Sequence, residues 1–342
     1  MFRWSPAGFE NYAIDHKEIY EECERQFGKP LEMAIKSTYH PKTKKYFGFS
    51  PGYMPVIISY RKDLWDDVGL FPGSWEDVRI GGAKILKKHG KPIGIGLDHT
   101  DYALNGIMYS FGASVQDEAG NLVLNSKETR EVLRFIKDLY QGPIDKIFIF
   151  RGQDFHRDSM VSGKLSLTFE TNIVSRTAEK MVPEMSSKIQ LAKTPAGQVR
   201  RLGSNQMATY LIWKFSENIE GAKKFLVDYV GNFQKAFSAS GFLYFPCFPK
   251  SVPDMERLLK DDSRGHPPTK YKVLEDVAEW TTNLGYPGYA NAAMAEIFDS
   301  SVVSKMFRNY ASGYFSSAED AVEQSEEQCK QIYTRWRNKG LV

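Results

Sequence analysis

Several short patterns in this chain have the residue types of catalytic motifs, and each lacks a part that its chemistry needs. Gly48-Phe-Ser50-Pro-Gly52 has the G-x-S-x-G spacing of a hydrolase nucleophile elbow. That elbow requires the serine at the apex of a strand-to-helix turn. Here Pro51 follows the serine and the next segment reads as extended, so the pattern is a glycine-rich turn. Gly90 with Gly94-Ile-Gly96 has the glycines of a dinucleotide loop, but not the third glycine or the helix that must follow at once. His16, His40, His89, His99, His156 and His266 form no HxxxH-type pair and no cluster with cysteine, so no protein-bound zinc is expected. Cys23, Cys247 and Cys329 are odd in number and match no metal spacing, and they read as free thiols. No cofactor is expected.

Aromatic residues carry the positive signal, at 13% of the chain. Tyr102, Phe111, Tyr244, Tyr286 and Tyr289 fall in predicted loops or at element ends. Sugars require such a combination: their C–H faces pack on aromatic rings, and their hydroxyls need Asp, Glu, Asn or Arg as oriented partners.

The elements that position these residues alternate between strand and helix, which argues for α/β lobes. Asp15 to Phe27 reads as a helix stopped by Gly28-Lys-Pro30, and Leu31 to Lys36 as a strand. Pro55 to Tyr60 is an apolar strand. Ser74 with Asp77 forms a capping pair for a helix to about His89, and Asn125 with Glu128 opens another to Tyr140. Leu165 to Phe169, Gln190 to Pro195 and Asn205 to Trp213 read as strands. Asn218 to Val230, Met255 to Lys260 and Tyr271 to Thr282 read as helices. Asn291 to Ala311 is one helix or a broken pair, and Ser317 with Asp320 caps the last helix. At 342 residues the chain exceeds one comfortable core, so two lobes are expected. The absence of a flexible linker implies several crossings, placed near 52–60, 196–205 and 248–252. The division expected is 1–52 with 203–250 as a first lobe and 53–202 with 251–342 as a second.

A net charge of +3 with no dense basic block makes nucleic acid an unexpected partner. No apolar run approaches the length of a membrane span, and Met1-Phe-Arg-Trp-Ser-Pro lacks the pattern of a signal peptide.

The segment from Tyr53 to Gly112 resembles extracellular solute-binding proteins of ATP-driven sugar importers (family 1). A strand with Tyr60 ends in Arg61-Lys-Asp-Leu64, and Ser74-Trp75-Glu76-Asp77 then opens a helix. Ile93-Gly-Ile-Gly-Leu97 follows as a Gly-rich strand and leads to Asp98-His-Thr-Asp-Tyr102. The resemblance continues through Asp117-Glu-Ala-Gly-Asn121, Gly163-Lys-Leu-Ser-Leu-Thr168, Gly203-Ser-Asn205, Ala222 to Leu226, Gly241 to Pro246 and Ser317 to Ala321.

The resemblance implies a two-lobed periplasmic-binding-protein-like fold of class II type. It implies a carbohydrate held between the lobes by hinge closure, with delivery to the membrane permease subunits of an ABC importer. It also implies a periplasmic or extracellular location, membrane-associated through the transporter, and no enzymatic turnover. The alternative is a glycan- or ester-acting hydrolase, which needs a pair of cleft carboxylates with separated pKa values. The candidate ligand contacts are Tyr53, His99, Asp101, Tyr102, Glu170, Asn172, Tyr286 and Tyr289. Glu170-Thr-Asn172 stands where the family often has Gly-Pro-Trp, so hydrogen bonds are expected there in place of stacking. The family normally opens with further strand–helix units before the Phe47 region. Only about 46 residues precede it here, so the first lobe is expected to lack them.

Overall fold

A computed structural model describes residues 6–96, 102–145 and 153–342. A 3-10 turn, Pro6–Tyr12, leads into α1 (Lys17–Phe27) and α2 (Glu32–Thr38). The strand expected at 31–36 is therefore a helix. Leu, Glu, Met, Ala and Lys are all good helix formers, and Met33, Ala34 and Ser37 bury one face against β3. A short hairpin, β1 (Tyr39–His40) and β2 (Lys45–Tyr46), precedes β3 (Phe49–Pro55). The G-x-S-x-G pattern lies in this hairpin-to-strand region, with Ser50 inside β3, so it is not an elbow.

β3 runs through Val56 directly into β4 (Ile57–Arg61), then α3 (Lys62–Asp67) and α4 (Trp75–His89). The Ser74 hydroxyl accepts from the Asp77 N–H, and the Asp77 carboxylate accepts from the Ser74 N–H, completing the expected capping box. There follow β5 (Ile93–Gly94), α5 (Ala103–Ser110), α6 (Lys127–Gln141), α7 (Gln153–Val161) and β6 (Leu167–Glu170). The cap of α6 is Ser126 rather than Asn125. Next come α8 (Ile173–Met181), α9 (Pro183–Ser186), β7 (Ile189–Ala192) and β8 (Gly203–Tyr210). The chain then forms α10 (Ile219–Gly231), α11 (Phe233–Ala239), β9 (Phe245–Pro246) and α12 (Met255–Lys260). It closes with β10 (Thr281–Thr282), α13 (Ala292–Asp299), α14 (Val302–Ala311) and α15 (Ala318–Asn338). The expected helix over 271–282 is a pair of 3-10 turns followed by β10.

Two four-stranded sheets result, in the orders β10-β8-β3-β9 and β5-β6-β4-β7. β3 is antiparallel to β8 and β9, and β4 is antiparallel to β6 and β7. One continuous extended segment thus supplies an inner strand to each sheet. Each sheet has its own core. Around β3 and β8 pack Ile19, Cys23, Phe49, Tyr53, Phe233, Phe237, Phe245 and Cys247. Around β4 and β6 pack Trp65, Trp75, Ile85, Ile107, Val132, Leu139 and Phe169, with Phe307 and Cys329 from the C-terminal helices.

The chain passes between the two sheets at Val56 and again between β7 and β8. The third expected crossing, near 248–252, and the lobe limit at 250 do not match the packing. Val252, Leu259, Tyr271, Leu274, Val277 and Trp280 belong to the first core, and β10 pairs with β8 in the first sheet. The chain enters the second core only at α13, so the passage is the segment from Asn283 to Ala290. Phe248 misled as a boundary because it is an ordinary core residue stacked on Phe49. All three cysteines are fully buried, Cys23 and Cys247 in the first core and Cys329 in the second, and burial pushes the thiols of Cys23 and Cys329 up to about 12.

Candidate functional site

Between α2 and β10 of the first lobe and the start of the third crossing lies an open cleft of about 150 Å³. Glu32, Met33 and Lys36 form one wall, and Thr281, Thr282, Asn283 and Tyr286 the other. The walls touch at one side, where Lys36 Nζ donates to the Pro287 carbonyl at 3.0 Å and pairs with Glu32 at 2.9 Å. Tyr286 is the pivotal side chain. Its ring also lines a largely apolar cavity in the second lobe, with Leu104, Met108, Tyr109, Ile297 and Phe298. Tyr109 packs edge-on against it at 5.3 Å, and Arg200 donates to its hydroxyl. The ring is half-buried, its polar tip is fixed, and the Arg200 guanidinium carbon lies 6.0 Å from its centre.

The expected site residues do not form one group. His99 and Asp101 lie outside the described residues. Tyr53 is buried in the first core, 5.9 Å from the Phe245 ring, so its face is not offered to a ligand in this conformation. Its position in β3 explains this: alternate side chains of a strand covered on one face by helices point into the core. Tyr102 precedes α5 and is buried against Phe298 at 5.8 Å, and its carbonyl accepts from the Ser204 hydroxyl at 2.6 Å. It joins a second-lobe helix to a first-lobe strand. Tyr289 packs on Tyr39 at 5.9 Å and lines a separate recess with His40, Lys42, Glu118 and Arg337. Tyr286 and Tyr289 therefore face different cavities.

Glu170 ends β6 and is almost wholly buried, and its Oε1 accepts from the Thr171 N–H at 2.8 Å. Burial raises its pKa from the ordinary 4.5 to about 7, and this outweighs the Thr171 bond and the attraction of Arg157. The unfolded chain ionises first as pH rises, so the folded state loses stability between about pH 4.5 and 7. Glu170→Gln is therefore expected to gain roughly 3 kcal/mol on the wild type between pH 4.5 and pH 8. Urea unfolding at the two pH values checks this, and an equal difference at both would refute it.

Asn172, two residues on, points across the lobes. Its Nδ2 donates to the carbonyls of Gly241 at 2.8 Å and Phe242 at 3.0 Å. Sequence reasoning missed Gln116, Arg176 and Arg200. All three act through backbone or aromatic partners far away in the chain, and no local pattern marks them. Among the described residues, no cluster of three or more His, Cys, Asp or Glu could hold a metal ion, and no helix is long and apolar enough to cross a membrane.

Residues 33–232 match the family model described as bacterial extracellular solute-binding protein, which is more than half of the chain. The chain belongs to this family. Its members act outside the cytoplasmic membrane, so the solute-binding protein is periplasmic or extracellular. It is 24% identical over 225 residues to an arabinooligosaccharide-binding protein of Bacillus subtilis, covering 61% of this chain and 51% of that one. The solute-binding protein thus spans about half the length of that relative. In fold it is similar to a sugar transporter protein of Arthrobacter chlorophenolicus with bound laminaribiose, with a TM-score of 0.77 and 17% identity over 95% of this chain and 82% of that one. It is likewise similar to maltose-bound MalE3 of T. maritima, with a TM-score of 0.75 and 20% identity over 96% and 82% of the two chains. The fold is that of two-lobed periplasmic binding proteins, as expected from the sequence.

Proposed function

We propose that this solute-binding protein captures a carbohydrate between its lobes and presents it to the membrane permease of an ABC importer, without breaking a bond in it. The observation that carries the reading is the cleft at the third crossing, with the fixed ring of Tyr286 and the polar side chains of Thr281, Thr282, Asn283, Glu32 and Lys36 around it. Such a mixture suits a ligand with apolar C–H faces and many hydroxyls. The names of the relatives support the same class: an arabinooligosaccharide binder, and folds with laminaribiose or maltose bound. Glu170 is a further candidate contact, because a neutral buried carboxyl both donates and accepts.

A thermal-shift screen against di- and oligosaccharides tests the proposal, since a ligand that binds only the folded state raises the melting temperature. Calorimetry on a hit should give stoichiometric binding, and chromatography should return the sugar intact after long incubation. Appearance of a shorter product would favour the hydrolase. Tyr286→Ala is expected to weaken binding of the hit by about 1–3 kcal/mol with little change in melting temperature, through loss of stacking. Unchanged affinity would place the ligand elsewhere.

A further inference from the structure

Along one side of the molecule, α8 and β7 of the second lobe meet residues 241–276 of the first through a continuous seam of side chains. At its centre is Arg176. Its Nε donates to the Gly241 carbonyl at 3.0 Å, and its Nη1 bonds Glu179 at 2.9 Å. Its Nη2 lies 2.5 Å from Asp262 Oδ2, an ion-pair approach without the angle of a hydrogen bond. The guanidinium carbon sits 3.8 Å from the centre of the Tyr271 ring and 4.9 Å from that of Phe242. Beside it, Asn172 holds the two consecutive carbonyls of Gly241 and Phe242. The Tyr271 hydroxyl bonds Glu179 at 3.0 Å, Lys270 Nζ reaches the Ser186 carbonyl at 2.7 Å, Gln190 reaches the His266 carbonyl at 3.1 Å, and Lys193 pairs with Asp276.

We infer that this seam, centred on Arg176 and Asn172, is a reversible latch that holds the two lobes together without any ligand. Three observations carry the inference. The first is backbone conformation. Gly241 and Phe242 both have positive φ, +67° and +66°. Glycine takes that conformation freely, but a phenylalanine in it is strained, and such strain persists only where surrounding contacts impose it. Both carbonyls of the strained pair end on the Asn172 amide of the opposite lobe. A Cβ at position 241 would also lie 3.0 Å from Arg176 Nε, so a larger residue there would push on the guanidinium.

The second observation is charge. Buried ions lock a structure when opening strands one of them, because an unpaired buried charge is costly. Here Arg176 has Glu179 on its own helix, and Asp262 has Arg264 on its own loop at 3.0 Å. Each keeps a partner when the lobes part. Lys270 is the exception: its side chain is wholly buried and its carboxylate partner, Glu179 at 3.3 Å, lies across the seam, so opening separates that one pair while Arg176 and Asp262 keep theirs. The third is the use of Asn172 itself. It stands in the loop expected to meet ligand, and its amide is committed to the opposite lobe instead.

The latch does not depend on the ligand being a sugar, so its failure and that of the functional reading are separable. The test is a spin-label distance across the lobes in ligand-free protein, with Lys127→Cys on α6 and Lys224→Cys on α10. Both side chains are highly exposed, and the three native cysteines are buried and spared by the label. The otherwise unmodified protein is expected to give one narrow distance, matching the separation of the two sites in this structure. Adding Asn172→Ala, which removes two hydrogen bonds, should lower the closed-to-open ratio roughly 30-fold. Arg176→Ala combined with Asn172→Ala should give a dominant longer distance. If the double variant does not fold, Asn172→Ala with Lys193→Ala takes its place. A long distance in the unmodified protein overturns the inference. So does a folded, cooperatively melting latch variant whose distance distribution is unchanged.

Discussion

Gln116→Ala is expected to cost roughly 4 kcal/mol of stability or more. Gln116 is fully buried and uses its whole amide. Its Nε2 donates to the carbonyls of Gly285 at 2.7 Å and Tyr289 at 2.8 Å. Its Oε1 accepts from Asn291 Nδ2 at 2.7 Å and the Tyr333 hydroxyl at 3.0 Å. Removing the side chain leaves polar groups of four residues without this partner inside the protein. The penalty for such orphaned groups is about 1–3 kcal/mol each before relaxation, and water entering the cavity recovers part of it. The same bonds fix the third crossing between the lobes, including both ends of the Gly285–Tyr289 loop that carries Tyr286. Urea midpoints measure the stability loss. Calorimetry on the remaining folded protein should show weakened sugar binding as well, because the loop is released. A loss under 1 kcal/mol would mean that the loop is held by something else.

Tyr102→Ala is expected to lose about 3 kcal/mol of stability, contrary to its sequence reading as a ligand contact. The ring is buried in the second core against Phe298, and truncation leaves a cavity that the ends of α5 and α13 must fill. The carbonyl of Tyr102 still accepts from Ser204 in the variant, so the connection to β8 survives and the protein should fold at low temperature. Binding measured per folded molecule is then expected to stay near that of the wild type. Full stability together with lost binding would restore Tyr102 as a contact and remove it from the core.

The α/β alternation and the helix caps at Ser74 and Ser317 were legible because they depend on local spacing. A capping box, a glycine stop and a short apolar run each act within a few residues. The helix at 32–38 was misread because six residues contain too little periodicity to separate strand from helix, and its propensity pointed the other way. The third crossing was hidden for a different reason. Residues 252–280 have few regular elements, and what assigns them to the first lobe is packing on Phe242 and Phe237, which lie far from them in sequence. The site was legible only in its aromatic content. Whether a tyrosine faces a cleft or a core depends on which side of a strand or helix it occupies in three dimensions, and Tyr53 and Tyr286 look alike in sequence. Asn172 was marked in the sequence as a hydrogen-bonding residue but not for the partner it takes, and Arg176 was not marked at all, because their partners are backbone carbonyls 65 to 70 residues away.

The burial of all three cysteines gives this solute-binding protein an uneven exposure to oxidation. Once folded, its thiols are sealed and hardly ionised, and an oxidising compartment leaves them untouched. Before folding, the same chain carries three reactive thiols past any oxidant it meets, and two of them, Cys23 and Cys247, are destined for the same core. A wrong disulfide made at that stage would be locked out of the native packing. The interval before the core forms, more than the redox state around the folded protein, is therefore when these thiols are open to oxidation.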